Sequence, residues 1–185
     1  MITVRSASLC ALALAFAAAC HHSVPINDGS LHADAHLLDT LGTEIGVVRL
    51  TETPGTPGVE VSIKVDGGVT SGLHGIHFHS VGVCKPDGAF ASAGGHFNPA
   101  GKKHGLFNPD GPHAGDFETL TIDSFHKGSF VANDARITLS PGPNSLLDVD
   151  GSAVVLHALP DDQRTDPSGM SGARIACGVV VKRAY

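Results

Sequence analysis

Apolar residues along this chain fall in short alternating runs separated by glycine, proline and aspartate. In Val59 to Val65 (VEVSIKV) every second residue is aliphatic, while Glu60, Ser62 and Lys64 are polar. Successive strand side chains point to opposite faces, so this run predicts a strand with one buried face. Glu44 to Thr51, Gly75 to His79, Leu120 to Ile122, Ser129 to Ala132, Ala135 to Leu139, Ala153 to His157 and Ile175 to Val181 are further strand candidates. No stretch sustains an apolar stripe at helical period. Repeated short strands with turn signals predict an all-β sandwich or barrel.

Three stretches break this rhythm. Leu9 to Ala19 (LCALALAFAAA) is apolar but too short to span a bilayer; Arg5 precedes it and the small residues Ala17 to Ala19 end it. Residues 1–19 therefore read as an export signal. Cys20 stands where bacterial lipoproteins carry their lipid, although Ala17 occupies a place where Leu is usual. Lipidation of Cys20 and simple cleavage are both open, and either leaves the chain in the periplasm or cell envelope. Residues 20–39 are polar and contain His21, His22, His32 and His36. They read as a flexible tether, with the folded domain over 40–185. The third stretch, Cys84 to about Glu118, is rich in Gly, Pro, His and Asn. Structureless loops of that length are uncommon and usually mark function or disorder.

Composition narrows the picture. The chain has 185 residues, about one domain's worth, and its 23 Gly and 11 Pro favour turns over a helical bundle. Net charge is −6 and the basic residues form no long run, which excludes a nucleic-acid footprint. Twelve histidines raise the prior for a metal site without locating one. Export removes Cys10 and lipidation would occupy Cys20, so Cys84 and Cys177 remain. In an oxidising compartment one disulfide is their natural pairing, with two free buried thiols as the alternative.

The candidate chemistry is concentrated in histidines. His77 and His79 flank Phe78, so both imidazoles share one strand face while Phe78 points the other way. Alone, such a pair is as compatible with a strand surface as with a metal. His96 follows two glycines in the long loop, and His104, His113 and Asp116 come after it. Three His and one Asp suit four-coordinate zinc. His157, on a later strand candidate, would join His77, His79 and His96 in an all-nitrogen set suited to copper(II).

The segments GIHFH, GGHFNP, KKHG, PHAGD, VVLH and GARIACGV, in this order from near Gly42 to Lys182, resemble the copper–zinc superoxide dismutase family. The resemblance implies a Greek-key β-sandwich or flattened barrel with long metal-binding loops. It implies copper on His77, His79, His96 and His157, zinc on His96, His104, His113 and Asp116, and His96 as the shared bridge. Asp161 would orient one ligand on each side, Arg174 would guide and bind the anion, and Cys84–Cys177 would be the disulfide. The implied reaction is disproportionation of superoxide to oxygen and hydrogen peroxide. Copper carries the electrons, and His96 can take a proton when its copper bond opens. The rival reading is an exported copper buffer, which needs no complete zinc site, no Asp161 and no Arg174. The loop Ala158 to Ala173 departs from the charged pattern of eukaryotic members, and Arg164, Lys102 and Lys103 read as solvated charges. His74 has the wrong parity to join His77, and His126 lies in a turn; both read as surface histidines. Oligomeric state cannot be read from these patterns.

Overall fold

Strand β1 (Leu31–Asp39) lies between β9 (Arg174–Val179) and β2 (Glu44–Glu52) in the computed structural model, which describes residues 28–184. The sheet continues through β3 (Val59–Val65) to β7 (Gly128–Asp134) on one side. On the other it runs from β9 through β8 (Ala153–His157) to β5 (Ile76–His79), and β10 (Val181–Lys182) also pairs with β1. Every one of these pairings is antiparallel. Strands β4 (Gly72–His74) and β6 (Leu120–Ile122) pair separately, and β6 lies against β7. The chain between β7 and β8 crosses from one end of the sheet towards the other, in Greek-key manner.

The alternation read in β3 is the burial observed: Val59, Val61, Ile63 and Val65 are buried, and Glu60 and Lys64 are exposed. Val48 and Leu50 of β2 and Leu120 and Ile122 of β6 join the same core. Each fully buried Leu or Ile there stabilises the fold by about 1.5–3 kcal/mol relative to exposure.

Three sequence expectations need correction. The tether assigned to 20–39 ends early, because Leu31–Asp39 is β1. Ala33, Ala35 and Leu37 alternate with polar residues and are fully buried; two small alanines disguised an inward face. The expected strand Ala135 to Leu139 does not form, although Ile137 and Leu139 are buried as its alternation implies. The backbone N–H groups of Leu139 and Ser140 donate to the Glu52 carboxylate, and that of Thr138 to Asn144, instead of to a neighbouring strand. Ile175 to Val181 divides into β9 and β10 at Val180, whereas Gly75 to His79 forms the single strand β5 less Gly75. The expected export signal, Cys10, Cys20, His21 and His22 lie outside the described residues.

The long loop is fastened to β5 by backbone bonds. Phe78 N donates to Gly115 O at 2.9 Å and Phe97 N donates to Phe78 O at 2.8 Å. A Cβ on Gly115 would run into the Phe78 carbonyl, so only glycine permits this approach.

Candidate metal centre

Residues paired across an antiparallel ladder share a face. His77 opposes Val155 and His79 opposes Ala153, so the two rings lie with these side chains on one side of the β5–β8 pair. Val154 and Leu156 face the main core instead, and so does Phe78. The side bearing the histidines is covered by the long loop, whose Phe90 and Ala93 pack on Ala153, Val155 and Cys177. His157 ends β8 where the β8–β9 register shifts, and such an irregularity re-aims a side chain.

On this covered face four imidazole nitrogens converge. His77 Nδ1, His79 Nε2, His96 Nε2 and His157 Nε2 are buried and have no hydrogen-bond partner. The four residues form a group whose ligand atoms lie within 4.8 Å of one another. Orphaned buried polar atoms are costly, and four together call for an ion. The partner of the second nitrogen fixes each tautomer. His79 Nδ1 donates to Gly94 O at 3.0 Å, His157 Nδ1 to Gly172 O at 3.2 Å, and His77 Nε2 to Asp161 Oδ2 at 2.6 Å. Each ring thereby presents a lone pair to the shared space. Burial holds all four rings below the ordinary histidine range, His96 at about 4 and His157 at about 3. They are neutral near pH 7, the form that binds metal.

The other nitrogen of His96 belongs to a second cluster. Asp116 Oδ1 lies 2.8 Å from His96 Nδ1, 3.1 Å from His104 Nδ1 and 3.2 Å from His113 Nδ1, and the His96 and His113 nitrogens are 3.4 Å apart. A tetrahedral zinc with arms of about 2.0–2.1 Å has ligand atoms about 3.3 Å apart, so this set fits it. His77 also falls within reach of His96, His104 and Asp116. Its Nε2 is committed to Asp161, however, whereas His113 Nδ1 lies 3.4 Å from His96 Nδ1 and 3.2 Å from Asp116 Oδ1. Asp116 Oδ2 accepts the backbone N–H groups of Gly105 and His113, which leaves Oδ1 to the cluster. Burial works to raise the Asp116 carboxyl, but bonds from His104, His113 and His96 outweigh it and hold it far below the carboxylate range.

Asp161 joins the two clusters. Its Oδ2 accepts from His77 and its Oδ1 from His104 Nε2 at 3.0 Å. Burial of His104 opposes its charge, yet Asp116 and Asp161 together raise its pKa to about 9. Asp161 is in turn held by Gln163, whose N donates to Oδ1 at 2.6 Å and whose Nε2 donates to Phe117 O. Gly169, at φ 64°, passes so close that a Cβ would strike Asp161 Oδ1.

Arg174 opens β9 and lines a cavity of about 360 Å³ with His79, His96, His157 and Asn98. Its Nη1 donates to Phe90 O at 2.8 Å and its Nη2 to Gly94 O at 2.7 Å. Burial lowers its pKa, but a guanidinium stays charged in proteins. The Cys84–Cys177 disulfide is formed, with Cα atoms 5.6 Å apart, and ties the start of the same loop to β9.

The structure thus brings together every metal-site residue expected from the sequence, with Asp161 and Arg174 beside them. His74 differs from expectation. It is buried, with its ring nitrogens 2.8 Å from His157 O and 2.9 Å from Thr70 O, because Gly75 ends β4 and removes His74 from the β5 parity argument. His126 is exposed as expected. Gln163 was missed; nothing in its type announces a role, and its buried placement arises only from tertiary contacts.

A family model described as copper/zinc superoxide dismutase matches residues 44–180. A Cu-Zn superoxide dismutase of Aquifex aeolicus is 44% identical over 81% of this chain and 86% of its own length. Another from Caulobacter vibrioides is 40% identical over 75% of this chain and 79% of its own. Among solved structures, a SOD-like protein from Bacillus subtilis superposes with a TM-score of 0.74 at 36% identity, covering 80% of this chain and 97% of that one.

Proposed function

We propose a residue-level account of the centre, starting from the fact that this chain belongs to the copper/zinc superoxide dismutase family. Its activity is disproportionation of superoxide to oxygen and hydrogen peroxide, and its metals are copper and zinc. We assign copper to His77 Nδ1 and to Nε2 of His79, His96 and His157. Zinc falls to Nδ1 of His96, His104 and His113 with Asp116 Oδ1. The observation that carries this assignment is His96: one ring nitrogen is an orphan in the all-nitrogen set, and the other sits in the carboxylate-centred set.

Copper, when bound, supplies one-electron exchange, which zinc cannot. The chain's own residues do the rest. Arg174 places a fixed cation at the cavity wall, where it attracts a small anion and can hydrogen-bond it. His96 lines the same cavity, and its Nε2 is the atom suited to hold a proton for the peroxide product. Asp161 keeps His77 and His104 in the tautomers that face the metals. The centre acts outside the cytoplasm, a reading supported by the apolar leader ahead of Cys20 and by the Cys84–Cys177 disulfide. Lipidation at Cys20 would anchor it to a membrane, and the mass of the mature N-terminus distinguishes that from simple cleavage.

Elemental analysis and a superoxide-removal assay on the same mature sample test the assignment. One copper and one zinc per chain with catalytic removal is the expected result. Copper bound tightly without turnover would replace it with the buffer reading.

A further inference from the structure

Arg136 belongs to none of the motifs that carry the resemblance, yet it grips the zinc half from outside. It follows β7, whose last residue, Asp134, pairs with Val59 of β3, so it is mounted on the sheet. Its Nε and Nη2 donate to the Asp134 carboxylate at 2.8 and 2.7 Å. Its Nη1 donates to His113 O at 3.1 Å, and Nη2 donates to Asp116 O at 2.7 Å. Those carbonyls belong to two of the four residues of the zinc set. Because they are backbone atoms, binding them leaves His113 Nδ1 and Asp116 Oδ1 free for a metal.

The main-chain bond within the turn they bound is long, and its other closure is the His113 N–H donating to Asp116 Oδ2 at 2.9 Å. Asp116 N reaches His113 O only at 3.4 Å. A rigid guanidinium spanning both carbonyls fixes the spacing of the two backbones, and with it the 3.2 Å between His113 Nδ1 and Asp116 Oδ1. A lysine carries its three donors on one nitrogen at the end of a flexible stem, so it cannot span acceptors that Arg136 reaches from three separate nitrogens.

We propose that Arg136 is a positioning residue of the zinc half: it holds the His113–Asp116 turn in its metal-binding shape and fastens that turn to the sheet through Asp134. This rests on the assignment of zinc to His96, His104, His113 and Asp116. The test measures zinc affinity by chelator competition, copper affinity, the visible spectrum of cobalt(II) placed in the zinc set, and the melting temperature with and without zinc. Two variants are compared with the parent on the full mature chain. Arg136→Lys keeps the charge, and the double change Asp134→Asn with Arg136→Gln removes the ion pair without leaving a buried lone charge. Zinc should bind about 10–100-fold more weakly in both, the range for loss of an outer partner. The cobalt spectrum should change, copper affinity should hold, and lysine should give no rescue. Unchanged zinc affinity in Arg136→Lys overturns the role. So does a double variant that melts lower by the same amount with and without zinc, since that marks a purely structural contact. A parent that itself holds no zinc overturns the zinc assignment, and this role with it.

Discussion

The copper half takes three of its four rings from strands, His77 and His79 from β5 and His157 from β8, whereas the zinc half takes all its residues from the loop between β5 and β6. Strand geometry fixes three of the copper rings cheaply, but leaves their three buried nitrogens, like that of His96, without partners. Loop geometry fixes nothing by itself, so the zinc half is organised around Asp116, which satisfies three imidazoles at once. The difference is one of chemistry as much as of scaffold. Without a metal, the copper half is a rigid set of neutral rings that lacks something, and the zinc half is a self-satisfied knot that must give something up.

The largest effect should come from removing the hub of the loop-built half. Asp116→Ala is expected to abolish specific zinc retention while leaving much of the copper bound. It also strips a buried charge from its partners, a change that typically destabilises by about 3–5 kcal/mol. Elemental analysis that finds unchanged zinc would contradict the role given to Asp116. Asp161→Asn attacks the comparison at its join. An amide cannot accept from both His77 and His104 through equivalent oxygens, so affinity should fall by about 10–100-fold on both sides together. A loss confined to one metal would mean that the two halves are independent.

Protons separate the halves further. In the metal-free chain His104 carries its proton up to about pH 9, while His96 and His157 stay neutral down to about 4 and 3. Zinc must displace the His104 proton, so its affinity should climb about tenfold per pH unit from neutrality towards pH 9. Copper displaces none from the strand-held rings, so its affinity should be flat over that range. Equal slopes, measured by competition titration, would erase the distinction. Stability follows the same signs. A raised pKa at His104 stabilises the fold below the unfolded value of about 6.5 and is lost as pH rises through 9. Depressed values at His96 and His157 cost stability as pH falls below about 6.5, because the unfolded chain takes up those protons first. The metal-free protein should therefore melt highest near neutrality, with melting temperature falling on both sides.

The same contrast explains what was legible in the sequence. Period-two alternation exposed β2 and β3, a short apolar run between turn signals exposed β8, and strand parity put His77 and His79 on one face, because a strand's geometry is local. It failed for β1, where Ala33 and Ala35 carry too little hydrophobic signal, and for Ala135 to Leu139, where a carboxylate took the place of a neighbouring strand. The loop-held ligands were found by resemblance to a family pattern, since spacing cannot say that His104 and His113 meet the same atom of Asp116. Gln163, the buried role of His74 and the grip of Arg136 rest on backbone carbonyls and amides brought close by folding. Carbonyls leave no trace in a sequence. A weaker signal did exist for Arg136: a carboxylate of opposite charge, Asp134, stands two residues earlier.

The smallest expected effect lies where both halves meet solvent. Arg174 shares the Gly94 carbonyl with His79 and borders the cavity beside His96, so it touches the copper half through position and the substrate through charge. These contributions come apart in two variants. Arg174→Ala removes both, and turnover at low ionic strength should fall by about tenfold, at the lower end of what a focused positive field contributes, with metal content unchanged. Arg174→Lys keeps the charge but cannot span Phe90 O and Gly94 O, so it should recover most of the rate. Added salt shortens the reach of the field, so parent and Arg174→Ala should converge as ionic strength rises. Equal rates for parent and Arg174→Ala at low salt would remove the anion-guiding role. A deficit in Arg174→Lys as deep as in alanine would instead assign Arg174 to holding the loop carbonyls that orient His79.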